Sequence, residues 1–378
     1  MTDMDEPHTL SACAQNSRPT VIRVLVLLLL YSTVASFALS EFIRYPGFGS
    51  MRPEFGGERF FGDMVYGRAP QPYVNRVLVP WLVRAVEAVT APTARAQLEE
   101  GVRHSLTTGG KPAWLYQSPF EFVIAKNILL LFAIGFAFAL WWLARLTLGV
   151  SGPAADVIPI VVLFALPGLY GYGSMLYDLP ALSLFTLGLA LVAARRFRLY
   201  ALVFAICVLN KETGLLLTLV WVVTERRRRK LKHLALGAGL QVGLWLLVRG
   251  LLVGFFRNNP GDAIGIHLFR NAQVLGVPGN WFRFRPVTDW LVLPMGFNLL
   301  YVLGLVGSLF ALKKAPQFLK DAFWVAVPVI VLTWLFGNAD EMRVYYELLP
   351  IVVLVLFSGL YSLMGYPVRP QPMETAEA

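Results

Sequence analysis

Four polar residues stand in the middle of an apolar stretch, 199–223, that is about as long as one membrane span: Asn210, Lys211, Glu212 and Thr213. A charge at the bilayer centre costs about 2.5–3.5 kcal/mol on insertion scales, so such groups normally face a protein interior or a wet cavity. There, Lys211 can pair with a phosphate, and Asn210 can donate to phosphate or sugar oxygens. The alternative is a self-satisfied turn in which Lys211 and Glu212 neutralise each other.

Basic residues flank this stretch at both ends. Arg195, Arg196 and Arg198 precede it, and a second group follows it: Arg226, Arg227, Arg228, Arg229, Lys230 and Lys232. The positive-inside rule assigns both groups to the cytoplasm, which a single crossing cannot satisfy. We therefore predict that 199–223 is a re-entrant helical hairpin of two short arms, with its tip in a cavity open to the outer face.

Three acidic residues, Glu54, Glu58 and Asp63, follow the first apolar run. An outward-facing carboxylate can act as a general base that deprotonates an acceptor hydroxyl, or it can bind a divalent cation, Mg²⁺ or Mn²⁺, near a phosphate. The composition does not choose between these roles. A further alternative is that these acids only balance the charge of nearby arginines.

Two more polar sites lie at the ends of apolar segments. Asp178 stands two positions before Pro180, where a carboxylate can cap the start of a helix. Arg343 and Glu347 are four positions apart, so an i,i+4 ion pair is the simplest interpretation. In the functional alternative, the guanidinium of Arg343 holds a lipid phosphate, for which its donor fork is suited.

The composition is typical of a polytopic membrane protein. Of the 378 residues, 57% are apolar and 15% are charged, and the mean hydropathy is +0.60. The net charge of +10 lies largely in short linkers between apolar segments, so we expect membrane lipids as partners and no nucleic acid. The four histidines lack zinc-ligand spacing, and the chain has no nucleotide-binding glycine loop.

The apolar runs predict an all-α transmembrane bundle of about eight spans plus the hairpin. The predicted spans are 21–42, 119–144, 154–173, 178–194, 233–254, 288–312, 321–337 and 344–363. Cytoplasmic tails 1–19 and 364–378 flank the membrane domain 20–363. A first outer loop, 43–118, carries short interfacial helices, and a second outer loop covers 255–287.

The order of motifs resembles the bacterial polytopic glycosyltransferases of the GT-C superfamily. The motifs are GDMVY at 62–66, PYVNRVLVPWL, YDLPALSLFTLGLAL, LNKETGLLL and DEMRVYYELLP. Such enzymes take a sugar from a polyprenyl-phosphate carrier and transfer it on the extracytoplasmic side, using an acidic residue of the first outer loop. Many members carry two adjacent acids there, whereas Glu54, Glu58 and Asp63 are spread out.

The resemblance implies a GT-C-like enzyme of the bacterial inner membrane with a polyprenyl-phosphate-linked sugar as donor. It assigns the catalytic base to Asp63, with Glu58 as second choice, and leaves a divalent cation open. The implied substrate-binding residues are Tyr66, Arg76, Asp178, Asn210, Lys211, Glu212 and Arg343, among which Lys211 and Arg343 would stabilise the departing phosphate. The alternatives are a transporter or flippase for a lipid-linked or small anionic solute, and a non-catalytic scaffold.

Overall fold

The computed structural model describes residues 20–44, 57–107, 117–150, 152–170, 173–261, 265–289 and 291–366. The predicted tail 1–19 and Glu54 lie outside the described residues, as does most of the predicted tail 364–378.

The described chain is mostly helical. Five helical segments are long and apolar enough to cross a membrane: Val21–Arg44, Pro119–Leu148, Pro153–Tyr170, Leu231–Phe255 and Gln317–Phe336. Shorter apolar helices cover Asp178–Ala193, Phe197–Asn210 and Leu349–Leu363. The predicted all-α class is therefore confirmed, and the five long helices are those of a membrane protein.

The helices of the first half, in chain order, are α1 (Val21–Arg44), α2 (Phe60–Val65), α3 (Leu78–Val89), α4 (Pro92–Thr107), α5 (Pro119–Leu148), α6 (Pro153–Ala165) and α7 (Asp178–Ala193). The second half contains α8 (Phe197–Asn210), α9 (Leu216–Glu225), α10 (Leu231–Phe255), α11 (Leu268–Gly276), α12 (Leu299–Ala311), α13 (Gln317–Ala322), α14 (Ala326–Phe336) and α15 (Leu349–Leu363). Short 3₁₀ turns cover Tyr73–Asn75 and Glu212–Leu215.

Helix α7 is the centre of the bundle. It is apolar on all sides and almost every residue in it is buried, which is the pattern of a helix enclosed by other helices. It packs on α5 and α8. Helix α9 lies close to α7 at Gly188, where a Cβ would lie 2.7 Å from Cδ1 of Leu217. The N-terminal end of α7 lies beside the turn between α8 and α9, where Nδ2 of Asn210 donates to the carbonyl of Tyr177 at 2.9 Å.

Helices α8 and α9 form the two short arms of a hairpin, as predicted, whereas its re-entry into the membrane stays a prediction. At the open end, the guanidinium of Arg195 lies 3.9 Å from the carboxylate of Glu225. Near the tip, a Cβ at Gly214 would lie 3.1 Å from the carbonyl carbon of Cys207. Helix α8 has 14 residues; it is about 21 Å long at 1.5 Å per residue, less than the roughly 30 Å of a bilayer core. The chain therefore turns back over this stretch, and both basic groups lie at the same end of the hairpin.

The prediction of a helical span at 288–312 is wrong before Leu299, where the helix begins. Two short antiparallel strands, β1 (Phe284–Thr288) and β2 (Leu291–Pro294), occupy this region. Helix α12 begins only at Leu299, where the side chain of Asn298 accepts the N–H of Leu300 at 3.0 Å. Hydropathy alone does not distinguish a short apolar strand from a helical segment, which explains the error.

Candidate functional site

Tyr177 is the meeting point of three segments that are distant in the sequence. Its hydroxyl lies 3.1 Å from Nη1 of Arg343, which donates to it. The guanidinium of Arg76 lies over its ring, 3.9 Å from the centroid. Its backbone carbonyl accepts a hydrogen bond from Nδ2 of Asn210 at 2.9 Å. The first loop, the hairpin tip and the last polar turn are therefore joined at this buried tyrosine.

Asp178 is the first residue of α7, and the predicted capping of this helix by its carboxylate is wrong, because the carboxylate makes no hydrogen bond to the amides of the first turn. One of its oxygens instead accepts the N–H of Met175, in the turn before the helix, at 2.8 Å. The same oxygen lies 3.5 Å from Nη1 of Arg343, so the carboxylate is an ion-pair partner.

The expected i,i+4 pair between Arg343 and Glu347 is wrong. Residues Met342–Tyr345 form a 3₁₀ turn, and α15 begins only at Leu349, so the two side chains are not on one face of an α-helix. Arg343 instead pairs with Glu341 at 2.7 Å.

Lys211 and Glu212 do not neutralise each other. Nζ of Lys211 lies 3.0 Å from Oε1 of Glu347, and both side chains are buried. The hydroxyl of Thr213 donates to the same carboxylate oxygen. Glu212 pairs with Arg76, whose Nη2 lies 2.7 Å from Oε1. The self-satisfied turn is therefore excluded, because each charge at the tip is paired with a residue from another segment.

Arg249, in the C-terminal third of α10, is a member of the site that the sequence interpretation missed. Its Nη1 donates to the carbonyl of Asn75 at 3.0 Å, and its Nη2 lies 3.6 Å from Oε2 of Glu212. From the same helix, the indole of Trp245 donates to the carbonyl of Glu212 at 2.9 Å. The sequence did carry a signal for Arg249, because it is a lone arginine inside an apolar helix long enough to span a membrane. A charge at membrane depth usually marks a functional residue.

These contacts define one group of side chains, the hairpin-tip cluster, which consists of Arg76, Asp178, Lys211, Glu212, Arg249, Glu341, Arg343 and Glu347. It contains four cations and four carboxylates, so the ionised cluster is neutral. The Glu212 side chain is 41% exposed, whereas that of Glu341, the next most exposed, is 18% exposed. The cluster is therefore most accessible at Glu212.

Glu341, which lies just before the 3₁₀ turn Met342–Tyr345, is a carboxylate of the cluster that stays ionised at neutral pH. Burial acts to raise the pKa of Glu341, but the neighbouring Arg343 guanidinium and a hydrogen bond from Asn338 outweigh it and hold the pKa below its usual range. In the first loop, burial raises the pKa of Tyr73 to about 12. At neutral pH, Glu341 and Arg343 therefore form an ion pair, and the hydroxyl of Tyr73 beside them is neutral.

The two predicted catalytic acids lie in the first loop, outside the cluster. The Asp63 carboxylate pairs with Nε of Arg68 at 3.2 Å, and its side chain is 23% exposed. Glu58 is exposed one turn earlier. The connection to the cluster is indirect, through the ring contact of Phe60 with Tyr73 at 5.3 Å. The structure thus brings neither acid into direct contact with the residues of the cluster.

Tyr66 belongs to a second polar group. Its hydroxyl donates to Glu121 at 2.5 Å and also lies 3.2 Å from Oε1 of Glu87. Arg95 joins the same two carboxylates, at 2.8 Å and 2.5 Å, and also Glu99 at 2.9 Å. The sequence interpretation missed this group. Only the spacing of Arg95 and Glu99, which are one turn apart in α4, predicts a contact between two of its members. Among the described residues, no set of three or more His, Cys, Asp or Glu side chains is arranged to hold a metal ion.

A cavity of about 640 Å³ lies between the first loop and the end of α10. Its lining is mostly apolar and includes Tyr66, Trp81, Arg84, Leu251, Leu252 and Phe256. Val74 also lines it. The next residue, Asn75, is held by Arg249, so the 3₁₀ turn Tyr73–Asn75 separates this cavity from the cluster.

Comparisons of the chain with family models, with curated proteins and with solved structures find no match. The resemblance to GT-C enzymes therefore stays a prediction from the motifs, and the chemistry of the site is argued from its own geometry.

Proposed function

We propose that the chain is an integral-membrane glycosyltransferase of GT-C type, which transfers a sugar from a polyprenyl-phosphate donor to an envelope acceptor on the extracytoplasmic face. One observation carries the proposal. Six of the seven residues proposed to bind substrate, drawn from four separate segments, meet in the hairpin-tip cluster or on Tyr177: Arg76, Asp178, Asn210, Lys211, Glu212 and Arg343.

The orientation follows from charge. The open end of the hairpin carries the two basic groups around Arg195 and Arg229, which the positive-inside rule assigns to the cytoplasm. The tip lies at the other end, against Arg76 of the first loop. The cluster then faces the extracytoplasmic side, where lipid-linked donors are used.

Arg76 and Arg249 are the residues that hold the donor phosphate in this proposal. Both flank the accessible carboxylate of Glu212, and Nε and Nη2 of Arg249 are buried without a hydrogen-bond partner among the described residues. A phosphate that replaces the Glu212 carboxylate would accept these donors. Lys211 and Arg343, first proposed for this role, are already paired with buried acids, so they position the tip instead.

The reaction is a single displacement with inversion. Asp63 takes the proton of the acceptor hydroxyl, whose oxygen attacks the anomeric carbon of the sugar. The bond from that carbon to the phosphate oxygen breaks, and its electron pair leaves with the polyprenyl phosphate. The arginines stabilise the charge that develops on this leaving group. The apolar cavity beside the 3₁₀ turn is suited to the isoprenoid chain of the carrier.

The test is a transfer assay with the purified, reconstituted protein. It would be supplied with polyprenyl-phosphate sugars, and the products would be identified by mass spectrometry together with the lipid-linked sugars and envelope glycans of a deletion strain. We expect a new glycosidic product and its absence from the deletion strain. Movement of the lipid-linked sugar across vesicles without any covalent product would support a flippase instead and overturn the proposal.

A further inference from the structure

We propose that the open end of the hairpin holds a second ligand site, which binds one anionic phospholipid with its phosphate on Arg229 and one acyl chain between α8, α9 and α10. This site lies at the opposite end of the hairpin from the cluster.

The acyl chain of the lipid would occupy a cleft of about 270 Å³. Its lining is mainly apolar and includes Phe197, Tyr200, Ala201, Trp221, Leu240 and Leu244. Sites for drug-sized ligands have volumes of about 300–1,000 Å³, so this narrower cleft suits a single linear chain. Ala201 and Leu240 are exposed on the outer surface of the bundle, which opens the cleft sideways toward lipid.

The cleft exists because α9 and α10 approach closely on one side of it. A Cβ at Gly237 would lie 2.4 Å from Cη2 of Trp221, so only a glycine lets the indole lie against α10. The polar groups in the wall are satisfied, since Tyr200 donates to Gln241 at 2.6 Å and Thr218 donates to it at 3.1 Å. The interior therefore presents an apolar surface to a chain, with no unpaired polar group in these contacts.

Arg229 lies at the mouth of the cleft. Its guanidinium lies 4.6 Å from the ring centroid of Phe197 and 5.7 Å from that of Trp221, and its Nε donates to Glu225 at 2.8 Å. These contacts fix the guanidinium while 34% of the side chain stays exposed. A guanidinium held in this way is suited to a phosphate, which accepts two of its N–H groups.

The surroundings of the mouth are strongly basic. Nine cations, namely Arg195, Arg196, Arg198, Arg226, Arg227, Arg228, Arg229, Lys230 and Lys232, lie at this end. The acids that pair with them are Glu225 and Asp321, which are buried. Two carboxylates do not balance nine cations, so the mouth attracts anions. A basic mouth above an apolar cleft that is open to lipid matches an anionic phospholipid of the cytoplasmic leaflet.

Native mass spectrometry of the purified full-length protein in detergent tests the proposal. Phosphatidylglycerol and phosphatidylcholine with identical acyl chains would be titrated in parallel. Both lipids carry a phosphate, but the choline cation of phosphatidylcholine is repelled by the basic mouth, so we expect phosphatidylglycerol to bind about tenfold more tightly. Arg229→Gln, which removes the cation that contacts the phosphate, should weaken binding of phosphatidylglycerol about tenfold. Leu240→Trp, which places an indole in the cleft, should reduce binding of both lipids.

Lys314→Gln is the matched control, since it removes one exposed cation that does not line the cleft. It should bind phosphatidylglycerol like the wild type. If Arg229→Gln does not give a monodisperse protein, lipid binding by Leu240→Trp tests the proposal alone. Equal binding of the two lipids, or wild-type binding by a folded Leu240→Trp variant, would overturn the proposal. Sugar transfer is not measured, so this outcome is independent of the proposed activity.

Discussion

The carboxylate of Glu212 lies 2.7 Å from the guanidinium of Arg76, although 136 positions separate the two residues in the chain. Arg76 also stacks on Tyr177, so it connects the first loop to the hairpin tip and to the start of α7. Because Glu212 has the most exposed side chain of the cluster, this pair is the part of the cluster that is most accessible from outside.

Replacing Arg76 by methionine should lower sugar transfer by about 100-fold or more, since loss of one donor that stabilises developing charge typically costs about 10²–10³ in kcat. The measurement is kcat with a polyprenyl-phosphate sugar in reconstituted protein. Arg103→Met, which removes an exposed arginine of the same loop, is the control and should retain activity. Wild-type kcat in Arg76→Met would remove this arginine from the phosphate site.

Asp63→Asn should lower transfer by about 10²–10⁴-fold, the usual contribution of a general base, without weakening binding of the donor lipid. Donor binding, measured separately from turnover, distinguishes loss of the base from loss of the fold. Glu58→Gln provides the comparison, because Glu58 is the second candidate. If Glu58→Gln is inactive and Asp63→Asn is active, the base has to be reassigned to Glu58.

Lys211→Met and Glu347→Gln should each destabilise the protein strongly, because removal of one partner leaves a buried charge unpaired, at about 3–5 kcal/mol. The double variant should be less destabilised than the sum of the two single variants. Thermal unfolding in a fixed detergent measures this coupling. Additive effects would show that the two charges do not interact in the folded protein.

The sequence predicted the hairpin and most members of its cluster, because charges in apolar segments and basic groups at both ends are local patterns with a clear physical cost. It did not predict which charges pair. The partners of Lys211 and Glu212 come from other segments, and such contacts depend on tertiary packing. The Arg343 and Glu347 pair was predicted wrongly because the i,i+4 rule assumes α-helical geometry, which the 3₁₀ turn there does not have.

Other parts of the site gave weaker signals. Arg249 was detectable as a charge inside an apolar helix, but hydropathy averaging over α10 concealed it. The contact of Tyr66 with Glu121 joins the first loop to α5 across 55 positions, and neither residue type indicates the other. The short strand β2 was concealed because its residues, LVLP, are as apolar as those of a helix.

Glu341 should make stability depend on pH. Arg343 and Asn338 hold its folded pKa below the ordinary value of 4.5, so its contribution is complete above that value and is lost as the pH falls through the lower, folded pKa. The Tm of the wild type should therefore exceed that of Glu341→Gln at about pH 7, and the difference should shrink toward about pH 3. A difference that does not change with pH would contradict this linkage.

The hairpin predicts that its tip is labelled from one face of the membrane and that both ends of its open side are labelled from the other face. In a variant with Cys13 and Cys207 replaced by alanine, a cysteine at Glu212 should react with an impermeant thiol reagent added from the outer face. Cysteines at Arg196 and Arg227, which are exposed at the open end, should react only from the cytoplasmic face. A single crossing would instead expose Arg196 and Arg227 on opposite sides, because one span separates its two flanks. Labelling of these two positions from different faces would therefore contradict both the hairpin and the extracytoplasmic location of the cluster.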